Sequence, residues 1–338
     1  MNQTPKFSVG IGLTNDCNLA CAHCYRDTVN INYMSLAQIQ MICDSIEVAS
    51  MGMGTGENAL NPDFIPITEY LHERGVKLNV ASNGYTIMSM DDGHLRMFND
   101  VELSIDFPTR AQQDAFRNEG NWDLCHTAID RCKKLGVKVS ILATIMRNTY
   151  GEMDLLGAHA RALDINLRVN VYQAVKTDKY KLTYDEFWEA YRKLFSVTRV
   201  VSCYEPVVRA AMGFEGVQSP CARTSIRFNQ RGQVIPCVYW PATLNGFVRP
   251  APTIMDLQTL GGGVLDTEDF VMARQLPHTA ANCRCQGGCA TRRALAGNLD
   301  THDDYCPWVR GETVNLDWEP APDKGLMRGR NVCTTVVC

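Results

Sequence analysis

A chain of 338 residues with 45% hydrophobic and 21% charged side chains can bury one large core or two domains. A net charge of −4 argues against a nucleic-acid backbone as partner, and no apolar run approaches the roughly 20 residues a membrane span needs. Fifteen cysteines, with no signal-peptide core at the start of the chain, point to a reducing cytoplasm and metal ligation, not a disulfide framework.

The pattern at residues 7–13 predicts a strand that runs straight into a loop carrying Cys17, Cys21 and Cys24 at Cys-x3-Cys-x2-Cys spacing. Three thiolates on one short loop can hold three corners of a 4Fe–4S cubane. A zinc ion would want a fourth ligand at close range, and His23, between two of the cysteines, is poorly placed to supply it. Ser35, with Gln38 three residues on, is a capping-box start for a helix whose apolar face is Leu36, Ile39, Cys43 and Ile46. A strand over 50–53 then ends in Gly54-Thr55-Gly56-Glu57-Asn58. Glycines admit close backbone approach to a ligand, and a carboxylate suits an amino group.

A helix over 63–74 and a strand over 76–81 lead to Ser82-Asn83-Gly84, which alone reads equally well as a tight turn. A strand over 101–105 carries Ser104 and is followed by Asp106. The helix expected over 122–135 places Trp122, Cys125, Ile129 and Cys132 on its apolar face, so Cys43, Cys125 and Cys132 read as core residues. A strand over 137–145, a helix over 151–162 and a strand over 167–172 complete six strands alternating with helices. Such βα units imply a parallel sheet, either closed as a barrel or open and doubly wound.

The helix expected over 183–195 bears Tyr184, Phe187, Trp188 and Tyr191, an aromatic stripe that reads as core. From Ser219 onward Gly, Pro and Cys displace helices. Cys221-x10-Gly232-x4-Cys237 is followed by Cys283-x-Cys285-x3-Cys289 and then Cys306. Loops of this cysteine density suit iron–sulfur ligation, with a zinc ribbon as the rival on spacing alone.

The N-terminal cysteine spacing resembles the signature of the radical S-adenosylmethionine (radical SAM) family. The later cysteines resemble its SPASM extension, or the shorter twitch variant. The resemblance spans roughly residues 7–310. It implies a partial (β/α)6 TIM-like barrel over 1–180, a helical connector over 181–218, a SPASM/twitch-like domain over 219–311 and an extended tail over 312–338. In the family the open iron of the first cluster chelates SAM. The motif Gly-Gly-Glu-Pro appears here as Thr55-Gly56-Glu57-Asn58, so Glu57 matches while the proline is lost. The resemblance assigns Gly54, Thr55, Gly56 and Glu57 to the amino group of SAM, Ser82 and Asn83 to its ribose and carboxylate, and Ser104 and Asp106 to the barrel lining.

It further implies an electron from a flavodoxin- or ferredoxin-type donor, a 5′-deoxyadenosyl radical and hydrogen-atom abstraction from substrate. One distribution puts Cys203, Cys221, Cys237 and Cys289 on an auxiliary cluster and Cys283, Cys285 and Cys306 on a second with an open or non-cysteine position. A single auxiliary cluster is the rival. Cys203 is also the candidate for a direct catalytic role. Cys285-x-Gly-Gly-Cys289-x-x-Arg292 matches a stretch shared by relatives that act on peptides and on tetrapyrroles. A peptide or protein side chain is the leading substrate. The sixteen residues before Cys17 leave no room for a fused peptide-recognition domain, which keeps an aminosugar or tetrapyrrole open. A non-catalytic iron–sulfur or zinc scaffold is the alternative of another class. Cys333 and Cys338 bracket a β-prone run. It reads either as a frayed end or edge strand, or as a flap over the barrel mouth lending a thiol to the incomplete set or to substrate.

Overall fold

The computed structural model describes residues 6–214, 216, 219–244, 247–278, 283–322 and 334–337. Six strands, β1 (Phe7–Ile11), β2 (Val48–Met53), β3 (Lys77–Ser82), β4 (Phe98–Ser104), β5 (Val139–Ile145) and β6 (Asn166–Val171), pair in chain order, all parallel. Helices return the chain between them, among them Leu36–Ser45, Phe64–Glu73, Asn121–Leu135 and Met153–Ala162. The Ser35/Gln38 capping box forms, and Cys43, Cys125 and Cys132 are buried in the core. The short helices Tyr85–Ser89, Asp92–Leu95 and Arg110–Arg117 were not expected. Each is too short, or in the last case too polar, to show an apolar period.

The sheet does not close on itself. Four further strands, β7 (Val200–Cys203), β8 (Ser225–Phe228), β9 (Val234–Ile235) and, at the C-terminus, β12 (Thr334–Val337), extend its two sides. On the β1 side β8 pairs parallel and turns back into β9. On the β6 side β12 pairs antiparallel and is followed by β7. The order β7-β12-β6-β5-β4-β3-β2-β1-β8-β9 is a half-barrel with an open flank. Two expectations are corrected here. Residues 219–311 are not mere loop: besides β8 and β9 they form the hairpin β10 (Thr243–Leu244)/β11 (Phe247–Val248) and the helices Ile254–Leu260, Glu268–Arg274 and Ala290–Leu295. Residues 334–337 are neither frayed, nor an edge strand, nor a flap over the mouth; they are an internal strand. Cys333 and Cys338 lie outside the described residues.

Parallel sheets are usually apolar on both faces. Here the strands alternate: Leu78, Val80, Val101 and Leu103 are buried, while Asn79, Ala81, Glu102 and Ser104 between them are half-buried. The second set lines an internal cavity, which is why it is small or polar. The helix Tyr184–Val197 buries Phe187, Trp188 and Tyr191 as core. Tyr305 stacks flat on Phe187 (centroids 4.2 Å apart), and its carbonyl accepts the Trp188 indole N–H at 3.2 Å. That contact anchors the segment carrying Cys306.

Candidate active site

The cysteine loop follows β1 and is fixed by the residues around it. Asn15 is buried; its Nδ2 donates to the carbonyls of Asp27 (2.8 Å) and Asn30 (2.7 Å), and its Oδ1 accepts from Asn32 N (2.8 Å). The buried Arg26 guanidinium donates to the carbonyls of Asn15 (2.8 Å) and Leu19 (2.5 Å), on either side of Cys17. Neither residue drew notice in the sequence, because a clamp onto backbone carbonyls leaves no spacing signal. The loop after β2 packs beneath. Glu57 N donates to Asp16 O at 2.7 Å, and a Cβ at Gly56 (φ +68°) would lie 2.3 Å from that same oxygen. Only glycine fits there. Thr55, itself at φ 114°, meets the Tyr25 hydroxyl at 2.7 Å.

Glu57 is buried, and protein donors already engage its carboxylate. Oε1 accepts from Ser82 Oγ (2.5 Å) and Thr86 N (2.8 Å), and Oε2 from Asn83 N (3.0 Å). A carboxylate offers about four acceptor positions, so Glu57 first organises the loop after β3 and has little capacity left for a ligand. Asn83 then reaches back, Nδ2 donating to Asn18 Oδ1 at 2.8 Å and lying 3.6 Å from Cys17 Sγ. Ser104 lines the cavity. Asp106 is fully buried behind it, paired with Arg117 at 2.8 Å and accepting from Thr144 N at 2.8 Å. Burial alone would raise the Asp106 carboxyl; Arg117, His23 and the hydrogen bonds outweigh it and hold it below the usual range. Arg117 Nη1 in turn lies 3.9 Å from Cys21 Sγ. His23 stacks on Phe116 (5.0 Å), and burial lowers its pKa.

A cavity of about 340 Å³ at the C-terminal ends of the strands joins two cysteine sets that are far apart in sequence. Cys17, Cys21 and Cys24 line it on one side; Cys221, Cys237 and Cys289 line it on the other. Burial pushes the Cys17 thiol up to about 11 and that of Cys237 up to about 12, so a bound metal must displace their protons. Cys283, Cys285 and Cys306 form a separate buried group, with Sγ–Sγ distances of 2.7, 3.0 and 3.6 Å. Hydrogen bonds from its two neighbours lower the Cys283 thiol, while its own bonds to them raise Cys285; the shared charge is what a soft cation relieves. Cys203 is buried on β7 and lines neither the cavity nor the group of three.

The two later sets are tied by a buried ion network. Arg292 bonds the carboxylates of Asp303 (2.6–3.0 Å) and Glu205 (3.0 Å from Nη1 to Oε2). Asp303 also accepts from Cys289 N (2.7 Å) and Tyr305 N (3.1 Å), and a Cβ at Gly288 (φ +71°) would clash with it at 2.3 Å. The Gly-Gly-Cys-x-x-Arg stretch is therefore a device for holding Cys289. All these donors are soft sulfurs in sets of three with buried walls, which fits iron–sulfur clusters.

A parallel half-barrel that faces a three-cysteine loop with a second cysteine set across one cavity defines an iron–sulfur enzyme of the SAM-dependent radical class. Residues 11–156 match the Radical SAM superfamily model, so this part of the chain is a radical SAM domain. The chain is thus an enzyme that uses SAM and a 4Fe–4S cluster, with a C-terminal auxiliary iron–sulfur domain of the SPASM/twitch type. Mycofactocin maturase MftC of Mycobacterium tuberculosis (strain CDC 1551 / Oshkosh) is 26% identical over 96% of this chain and 89% of its own length. The pre-heme d1 synthase of Dinoroseobacter shibae is also 26% identical, over 44% of this chain and 39% of that protein. Among solved structures, Streptococcus suis SuiB superposes with a TM-score of 0.67 at 14% identity, covering 89% of this chain and 76% of SuiB. The structure of anSMEcpe with bound AdoMet and Kp18Cys peptide gives 0.66 at 15% identity, covering 89% and 94%. No helix among the described residues is long and apolar enough to cross a membrane.

Proposed function

We propose that this enzyme oxidises or cross-links a side chain of a peptide or protein. Cys17, Cys21 and Cys24 hold the SAM-binding cluster; Cys221, Cys237 and Cys289 hold one auxiliary site, and Cys283, Cys285 and Cys306 a second. The observation that carries this reading is the single cavity bordered by the first two sets. A substrate seated there lies between the site of radical generation and an electron acceptor. When bound, SAM and the reduced cluster supply a 5′-deoxyadenosyl radical that abstracts a hydrogen atom. The chain's own residues do the rest. Arg26 and Asn15 fix the cluster loop, and Glu57 shapes the floor through Ser82, Asn83 and Thr86.

The peptide class is supported by the likeness to a maturase along nearly the whole chain. SuiB, of the same fold, has been solved bound to its precursor peptide SuiA. The tetrapyrrole reading rests on relatives matched over less than half of the chain. A flavodoxin- or ferredoxin-type protein in the cytoplasm is the proposed electron source. Anaerobic reconstitution followed by assay of 5′-deoxyadenosine, with and without short peptides encoded beside the gene, tests the reading. Peptide-stimulated SAM cleavage with a mass change in the peptide is expected; cleavage stimulated by a tetrapyrrole and not by peptide overturns it.

A further inference from the structure

Three arginines line the cavity, and two of them are committed. Arg26 is spent on the carbonyls of Asn15 and Leu19, and Arg117 on Asp106. Both cavity carboxylates are likewise occupied, Glu57 by the loop after β3 and Glu102 by Arg168. Arg227, on β8, is different. Its Nη1 donates to Ser225 Oγ (2.7 Å) and Ile226 O (3.1 Å), which fixes the plane of the guanidinium. Among the described residues it has no carboxylate partner, and Nε and Nη2 make no hydrogen bond.

The fold makes room for this side chain. Arg227 pairs in register with Gly10 of β1, which pairs with Gly52 of β2. A Cβ at Gly10 would lie 2.4 Å from Arg227 Cδ and 2.6 Å from Nε, so the arginine lies flat across a strand that has no side chain at that point. Tyr25 lines the same cavity, with its hydroxyl already engaged by Thr55 Oγ1 at 2.7 Å. A half-buried charged group held rigid at a cavity wall, with one bidentate edge unused, is built to receive an anion.

We propose that Arg227 is the substrate anchor of this cavity and takes a carboxylate side-on through Nε and Nη2. On the peptide reading above, the carboxylate is that of an Asp or Glu side chain or of a free C-terminus. The same chemistry is present in the methionine carboxylate of SAM. Arg227, however, stands on β8, on the far side of β1 from the loops after β2 and β3 to which the SAM contacts are assigned.

The test uses the reconstituted holoenzyme loaded with SAM under anaerobic conditions. Equilibrium dialysis of labelled benzoate against labelled benzamide probes the anion site whatever the natural substrate. Benzoate retention, with little benzamide, is expected. Arg227→Gln should lose it at least tenfold, Arg227→Lys should keep part, and Gly10→Ala, which displaces the arginine, should behave like Arg227→Gln. SAM affinity and iron content of Arg227→Gln should stay within twofold of the parent. Equal binding of the two probes, or benzoate binding indifferent to Arg227→Gln, overturns the proposal. So does a tenfold loss of SAM affinity, which would assign the arginine to SAM, or a changed auxiliary-cluster spectrum without a change in benzoate binding. A random hexapeptide pool, offered with free acids and again with Asn, Gln and amidated ends, tests the carrier: enrichment of acid-bearing peptides lost in Arg227→Gln supports it. Benzoate retained with no peptide bound from either pool keeps the anion site and overturns the peptide reading alone.

Discussion

Glu57 shows how a residue singled out for ligand chemistry can be an architectural one. Its carboxylate accepts from Ser82 Oγ, Thr86 N and Asn83 N, so the loop after β3 takes its shape from this one side chain. Glu57→Gln turns one acceptor into a donor that faces N–H groups. Losing charge-assisted bonds should cost the fold about 1.5–3 kcal/mol, the range for a hydrogen bond to a charged group, and SAM affinity, measured by titration, should fall with the loop it shapes. The melting temperature should fall even without SAM, which a pure ligand contact would not cause. The cysteines divide more simply. Ala at Cys43, Cys125 and Cys132 should leave iron content unchanged, because these thiols are buried in the core, where Cys125 donates to Asn83 O (3.3 Å) and burial holds it at about 12. Ala at Cys17, Cys21 and Cys24 together should abolish 5′-deoxyadenosine formation while auxiliary iron remains. At this scale the cysteine loop was legible because its ligands are local in sequence. Arg26, Arg117 and Arg227 were not, since each acts on a partner that only the fold brings near.

Among elements, long periodic helices were legible and the joints between them were not. Apolar spacing marked Leu36–Ser45, Asn121–Leu135 and Tyr184–Val197. Nothing local says that Cys289 faces Cys221 and Cys237 while Cys285, four residues earlier, belongs with Cys283 and Cys306. That division is enforced by the Glu205–Arg292–Asp303 network, which joins the helix Pro206–Ala211 to the helix Ala290–Leu295. Arg292→Met leaves two buried carboxylates facing each other and should cost about 3–5 kcal/mol of stability, with loss of auxiliary iron. Arg292→Lys, which keeps the charge but not the fork geometry, should fall between the two in both melting temperature and iron per chain. A milder joint links the helices Phe64–Glu73 and Asp92–Leu95. His94 bonds Glu69 (3.0 Å) and Asp91 (2.8 Å), and these bonds, Glu69's first, outweigh burial and raise its pKa. A raised pKa stabilises the fold through the protonated form, fully below about pH 6.5 and progressively less as pH rises through the folded value. Denaturant melts of His94→Gln should lack that decline above pH 6.5 which the parent shows.

Across the whole molecule the sheet draws on both ends of the chain. Six βα units made a parallel sheet legible, and the resemblance to the radical SAM family, not the periodicity, chose a partial barrel over a doubly wound sheet. What completes each side was not legible, because β8 is four residues long and β12 lies 162 residues beyond β6. Thr334–Val337 pairs with Asn170 through Leu167 on one side and with Cys203, Ser202 and Val200 on the other. It therefore satisfies the backbone of β6 and of β7, either of which would otherwise present an open edge. Asn170 lines the cavity, so the strand also braces a cavity wall. This separates two roles for the C-terminal segment that the two flanking thiols had blurred. Chain termination before Asn331 removes strand and thiols together; Cys333→Ala with Cys338→Ala removes the thiols and keeps the strand. If the strand is what matters, the truncated protein should melt lower and lose hydrogen-exchange protection in β6 and β7. The double alanine variant should then match the parent in melting temperature, iron content and 5′-deoxyadenosine yield. Iron lost from the double variant would instead make a terminal thiol a ligand, and unchanged protection of β6 in the truncated chain would contradict the brace.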